Sequence, residues 1–226
     1  MQGKVLIITG ALGALGKVVA EIAQSRGARV AGIDHAPSQV SATTERIEIG
    51  GVDLSDPAQA KTAVETAAKH FGKLDALINI AGGFAFETVG DGDVKTWQRM
   101  HALNVLTALN TSHAALPHLA ASKAGRIVNI GAMGALQASS GMGPYAASKA
   151  GVHRLTEALA SEWKGKVTVN AVLPSTIDTK ANRADMPKAD FSKWVTPQEL
   201  TEVILFLASD AASGVTGALI PVSGRV

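Results

Sequence analysis

The stretch Val5-Leu6-Ile7-Ile8-Thr9-Gly10-Ala11-Leu12-Gly13-Ala14-Leu15-Gly16 decides how this chain is read. Its apolar run suits a strand buried on both faces, and the run breaks at Thr9-Gly10 into a glycine-rich turn. From Ala14 to Ser25 the apolar positions Leu15, Val18, Val19 and Ile22 fall on one helical face. Arg29–Asp34 then returns as a strand, which completes a βαβ unit. Glycines at such a turn permit tight bending, and the helix N-terminus offers amide donors and a positive dipole end to a pyrophosphate. A purely structural turn is the alternative at this point.

Working outward, the same alternation continues. Strands are predicted at Ile47–Gly50, Ala76–Asn79, Arg126–Ile130, Val167–Leu173 and Ala218–Val222. Helices are predicted at Pro57–Phe71, Asp93–Ala121, Pro144–Trp163 and Pro197–Ser209, the first opened by Ser55-Asp56-Pro57 as cap and first-turn proline. Seven strands with intervening helices imply an α/β fold, a doubly wound parallel sheet covered on both faces. One domain over residues 1–226 is expected, with an irregular segment at about 175–196 lying over a site.

Composition narrows the function. Lys+Arg 21 against Asp+Glu 19 leaves a net charge of +2, without the basic excess of a nucleic-acid-binding protein. Zero cysteines exclude disulfides, thiolate metal sites and cysteine nucleophiles, and the six histidines show no metal-ligand spacing. No metal is therefore expected. Neither a signal peptide nor a membrane span is legible, so a cytoplasmic protein with a small-molecule substrate is expected.

Two further features carry chemistry. Asp34 ends the second predicted strand, where a carboxylate can accept from both adenosine ribose hydroxyls and repel a 2′-phosphate; a solvated strand-end aspartate is the alternative. Tyr145-Ala146-Ala147-Ser148-Lys149 lies in a helical pattern, so phenol and ammonium share one face, and Tyr145 is the only tyrosine in the chain. A nearby cation favours the phenolate and lowers the tyrosine pKa toward the range useful for acid–base work.

Together with Asp53-Leu54, Asn79-Ile80-Ala81-Gly82, Asn104 and Asn170 to Pro174, these motifs make the whole chain resemble the short-chain dehydrogenase/reductase family. The resemblance implies a Rossmann-type fold and an oxidoreductase using NAD, NADH being favoured over NADPH by Asp34. It implies that Gly10, Leu12, Gly13, Ala14, Leu15 and Gly16 hold the pyrophosphate, and that Asp53 and Leu54 meet the adenine. Asn79, Ala81 and Gly82 would steady the sheet and line the adenosine ribose, with Ile80 departing from the family's second asparagine. Pro174, Ile177 and Thr179 would cradle the nicotinamide, Ser175 standing where glycine is usual. Tyr145 would transfer the proton, Lys149 would hold the nicotinamide ribose and depress the tyrosine pKa, and Asn104 would support a water relay. Members usually assemble as homodimers or homotetramers, here through Asp93–Ala121 and Pro144–Trp163.

One departure stands out. The family's serine lies thirteen residues before the tyrosine, and here that position is Ala132. A lost oxyanion-type donor is worth about 2–4 kcal/mol of transition-state stabilisation. Ser139 and Ser140 lie nearby, either reaching the site or remaining on a surface loop. Alanine at this place, Gly141-Met142 before Tyr145, Leu173-Pro174, Asp178-Thr179, Asn182-Arg183 and Met186 to Trp194 resemble the dihydropteridine reductase subgroup. Phe84 stands where that subgroup has a tryptophan and either stacks on a flat heterocycle or packs on the core. The implied reaction is hydride transfer to a C=O or C=N group. A 3-oxoacyl thioester reductase or other ketone/alcohol dehydrogenase is the enzymatic alternative, and a dinucleotide-binding redox sensor the non-enzymatic one.

Overall fold

The computed structural model describes residues 1–38 and 42–226. Its strands are β1 (Val5–Thr9), β2 (Arg29–Ile33), β3 (Arg46–Ile49), β4 (Ala76–Asn79), β5 (Gly125–Ile130), β6 (Val167–Pro174) and β7 (Leu219–Val222). They form one sheet in the order β3-β2-β1-β4-β5-β6-β7, every neighbouring pair parallel. The helices are α1 (Ala14–Ser25), α2 (Pro57–Phe71), α3 (Val94–His101), α4 (Thr107–Ala121), α5 (Gly143–Glu162), α6 (Lys180–Asp185) and α7 (Pro197–Leu207). The order reverses between β1 and β4, so a crevice opens beyond their C-terminal ends.

Burial on both faces explains the apolar run in β1. Leu6 and Ile8 face a core completed by Leu15 and Val19 of α1 and Leu200 and Ile204 of α7. Val5 and Ile7 face the opposite core, with Val64 of α2, Leu116 and Leu119 of α4 and Leu159 of α5. Helix starts follow local chemistry: Asp56 Oδ1 accepts from Ala58 N at 2.8 Å before Pro57 opens α2. A reciprocal Thr196–Glu199 capping box opens α7.

Most predicted boundaries differ from the observed ones by a residue or two, but two regions differ in kind. The expected single helix Asp93–Ala121 is interrupted by a π-helical segment, Ala102–Leu106. The widened turn carries Asn104, 1% exposed, with its amide bonded to Gly83 and Ser148. The expected irregular segment after β6 contains α6, begun by the Thr179 hydroxyl accepting from Asn182 N at 3.1 Å. Its six residues, Lys180-Ala-Asn-Arg-Ala-Asp185, present no apolar stripe from which a helix could be inferred.

A polar chain crosses the core where β4 and β5 meet α4 and α5. Asn79 Nδ2 donates to Asn129 Oδ1 at 2.9 Å and to Ser112 Oγ at 3.1 Å, while Asn79 Oδ1 accepts from Thr111 Oγ1 at 2.9 Å. Asn129 Nδ2 continues to Thr156 Oγ1 at 2.9 Å. Removing one member strands buried partners. Asn79→Ala is therefore expected to cost about 2–4 kcal/mol of unfolding free energy, read as a lower denaturant midpoint at unchanged slope.

Candidate active site

The crevice at the strand reversal is a cleft of about 500 Å³. Its floor begins at Gly10, whose φ of +66° lies in the left-handed region, and a Cβ there would stand 2.9 Å from Ala81 N. A Cβ on Gly16 would meet Gly10 O at 2.1 Å, so α1 can sit this close to the turn only with glycine. The predicted residues Gly10, Leu12, Gly13, Ala14, Leu15, Gly16, Asp34, Asp53, Leu54, Ala81 and Gly82 all line this cleft.

Asp34 closes one end. Its Oδ2 accepts from Leu12 N at 2.8 Å and its Oδ1 from Ala36 N at 2.9 Å, so the carboxylate is aimed by the turn it supports. Asp53 Oδ1 accepts from both Ser55 N and Ser55 Oγ, at 2.9 and 2.7 Å.

On the other side, α5 presents Tyr145 and Lys149 one turn apart. Lys149 is buried and donates to Ile130 O at 2.8 Å. A Cβ on Gly82 would lie 3.5 Å from Lys149 Nζ and 2.5 Å from Asn104 Oδ1, which places cation, amide and cleft lining side by side. Tyr145 packs edge-on to Phe84 at 5.0 Å. The carboxy-terminal side of β6 is closed by Asp178 and Arg183, paired at 2.5 and 2.7 Å, with the guanidinium 4.7 Å over Phe191.

A family model described as short chain dehydrogenase matches residues 4–190. The chain belongs to the short-chain dehydrogenases. It is an oxidoreductase of that family. It is 31% identical over 246 residues to 2-(S)-hydroxypropyl-CoM dehydrogenase 3 of Xanthobacter autotrophicus, covering 99% of this chain and 96% of the relative. It is 31% identical over 240 residues to 3-oxoacyl-[acyl-carrier-protein] reductase of Thermotoga maritima, covering 99% and 98%. Among solved structures, carveol dehydrogenase from Mycobacterium avium in complex with NAD superposes with a TM-score of 0.87 at 28% identity, covering 100% of this chain and 98% of that one.

Within this short-chain dehydrogenase, several expected residues have partners beyond the cleft lining. Asn79 does not line the cleft: its whole amide is spent on Ser112, Asn129 and Thr111 beneath it. Pro174, Ile177 and Thr179 lie beyond the lining of this cleft, as Tyr145 and Lys149 do. Ile177 bridges to Val195, and the Thr179 hydroxyl caps α6. Asn104 donates to Gly83 O and Ser148 Oγ at 3.0 and 2.9 Å and accepts from Gly83 N at 3.0 Å, so a relay through its NH₂ would have to break one of these bonds. Ser139 and Ser140 are exposed. Ser148, unremarked in the sequence reading, joins Asn104 to Tyr145 by donating to Tyr145 O at 2.7 Å. Its signal was its place three residues after Tyr145.

The electrostatics correct one expectation outright. Tyr145 is pushed up to about 12 by burial, not down by Lys149. The same desolvation pulls Lys149 down to about 8. Loss of water is the cause of the shift at both groups. Because Tyr145 is the only tyrosine, its phenolate absorbance reports one group. Well under half of that signal is expected at pH 10, the ordinary midpoint, and Lys149→Met should change it little; half-ionisation at or below pH 10 would contradict the burial argument.

Proposed function

We propose that this protein is an NADH-dependent reductase that transfers hydride to an electrophilic C=N or C=O group, Tyr145 supplying the proton. The glycine turn fits a pyrophosphate because Gly10 and Gly16 clear the backbone of Cβ atoms, and α1 turns its N-terminal amides toward the cleft. Asp34 suits ribose hydroxyls and opposes a 2′-phosphate. His35 and Ala36 are its neighbours in the lining, and among the described residues no lysine or arginine joins them there. Bound NADH would supply the hydride and its two electrons.

The residues of the chain divide the remaining work. Burial keeps the Tyr145 phenol protonated at neutral pH, the state a proton donor needs. Lys149 is largely an ammonium there and is anchored by Ile130 O. Bridging by the Asn104 amide between Gly83 and Ser148 keeps α5 registered against the cleft wall. The segment from Asp178 to Trp194, pinned by Asp178 N to Val195 O at 2.7 Å, bounds the substrate side. An assembly of two or four copies through α4 and α5, in the cytoplasm, accompanies this reading.

The observation that carries the substrate class is Ala132, buried at the end of β5 where the family places a hydroxyl. A quinonoid dihydropterin needs no second donor, since the ring is already electrophilic and one proton on nitrogen completes the reduction. The alternative, a 3-oxoacyl thioester, is favoured by the similarity to the Thermotoga maritima reductase.

A panel with NADH separates them. Quinonoid dihydropterin turnover without acetoacetyl thioester turnover supports the first substrate, and the reverse supports the second. Ala132→Ser should raise activity on simple ketones by about tenfold or more while leaving pterin reduction unchanged or impaired. Tyr145→Phe should bind NADH yet lose turnover. For the cofactor, fluorescence titration should give tighter binding of NADH than NADPH, a difference that narrows in Asp34→Ala; equal affinities in the unmodified protein would remove the assignment.

A further inference from the structure

His153 lies two turns beyond Tyr145 and one beyond Lys149 on the same face of α5, and it is 2% exposed. Ala132 N donates to its Nε2 at 3.3 Å. The preceding residue is pressed against the same ring: a Cβ on Gly131 would stand 2.5 Å from His153 Nε2 and 2.7 Å from its Cδ2. Gly131 N in turn donates to Val172 O at 2.9 Å on β6. Three consecutive residues, the last of β5 and the two that follow it, are thus held in order. Lys149 takes the Ile130 carbonyl, β6 takes the Gly131 amide, and the imidazole takes the Ala132 amide.

We propose that His153 is a positioning residue of this active site, its Nε2 fixing the wall that carries Ala132 and withdrawing the Ala132 amide from the substrate. The inference rests on the reading of Tyr145 and Lys149 as the reacting face. Ala132 has extended backbone, φ −160° and ψ 142°, so the direction of its methyl is set by the peptide that His153 grips. The wall then offers the substrate oxygen or nitrogen neither a hydroxyl nor this backbone N–H. Tyr145 is left as the donor on this side. Such a wall selects against substrates that develop a full alkoxide and tolerates those that accept one proton on nitrogen.

The ring must be neutral to accept. Burial, with Arg154 and Lys149 nearby, pulls its pKa down to about 4, which agrees with an acceptor Nε2 and a proton on Nδ1.

Two variants and one spectrum test this. His153→Leu keeps the bulk and removes the acceptor; His153→Gln places an amide oxygen as many bonds from Cβ as Nε2. With quinonoid dihydropterin and acetoacetyl thioester as probes, His153→Leu should shift the ratio of their kcat/KM values about tenfold toward the thioester, whose developing alkoxide gains the freed Ala132 amide, with the NADH dissociation constant within about twofold of the original. His153→Gln should reverse most of that shift. An unchanged ratio in the leucine variant, or equal shifts in both variants, would overturn the proposal.

The spectrum needs no turnover. Imidazole ¹⁵N shifts of the unmodified protein, assigned by the peak missing in His153→Gln, should show a bare Nε2 and a protonated Nδ1 at neutral pH. A protonated Nε2 would overturn the proposal even where the enzyme is active. Absence of turnover on both probes with the expected ¹⁵N pattern would instead refute the proposed substrates and leave the His153–Ala132 contact standing.

Discussion

The Thr9 side chain, 1% exposed at the end of β1, accepts from Ile80 N at 3.0 Å and from Ala81 N at 3.1 Å. At this place β1 and β4 stop pairing and the chain leaves them in different directions. Two amides freed from the sheet would otherwise be stranded at its covered edge, a cost of order 1–3 kcal/mol each. One hydroxyl satisfies both and brings Ala81 to within contact distance of Gly10. The cleft depends on that closeness: Gly10 tolerates it only without a Cβ, and Gly16 repeats the requirement from the helix side. The rest of the crevice is built outward from this junction.

Desolvation governs what the opposite wall can do. The short-chain dehydrogenase fold places Tyr145 and Lys149 on a helix packed against a sheet that is already covered, so both lose water. For a phenol that loss favours the neutral acid, and for an ammonium it favours the neutral amine. The lysine avoids most of the penalty through Ile130 O, a backbone carbonyl at the C-terminal end of β5. The same carbonyl edge therefore both ends a strand and stabilises a cation. Phe84, against Tyr145, extends the apolar surround that keeps the phenol protonated.

Much of this was legible in the chain itself. Both-face burial of a parallel sheet writes near-continuous apolar runs, and Val5–Ile8 is one; helical period and the Asp56-Pro57 cap are equally local signals. The cleft lining followed from the glycine turn together with the family resemblance, since the turn alone left a purely structural role open. What escaped was set by long-range partners. Nothing near Asn104 in sequence announces a π-helical turn, because Gly83 and Ser148 create the demand for it. Asn79, expected to steady the sheet, does so through Thr111, Ser112 and Asn129, partners its own sequence neighbourhood does not name. The Tyr145 shift runs against the sequence-based expectation for a related reason: spacing shows that a cation is near, whereas burial depends on everything packed around it.

A serine hydroxyl at the place of Ala132 would donate to a substrate while its backbone amide remained fixed in the loop; alanine leaves the amide as the nearest donor, and His153 takes it. The substitution and the histidine therefore act in the same direction, since each removes a hydrogen-bond donor from one wall of the site. A histidine whose ring crowds Gly131 is costly to accommodate, because no side chain fits beside it there. Gly131, Ala132 and His153 consequently form one packed unit, and a change at any of them must be accommodated by the other two. Restoring a hydroxyl at Ala132 alone adds a donor without altering the peptide that aims it. For this reason substrate preference in this enzyme should follow the geometry of the loop after β5 as much as the identity of the residue at its tip.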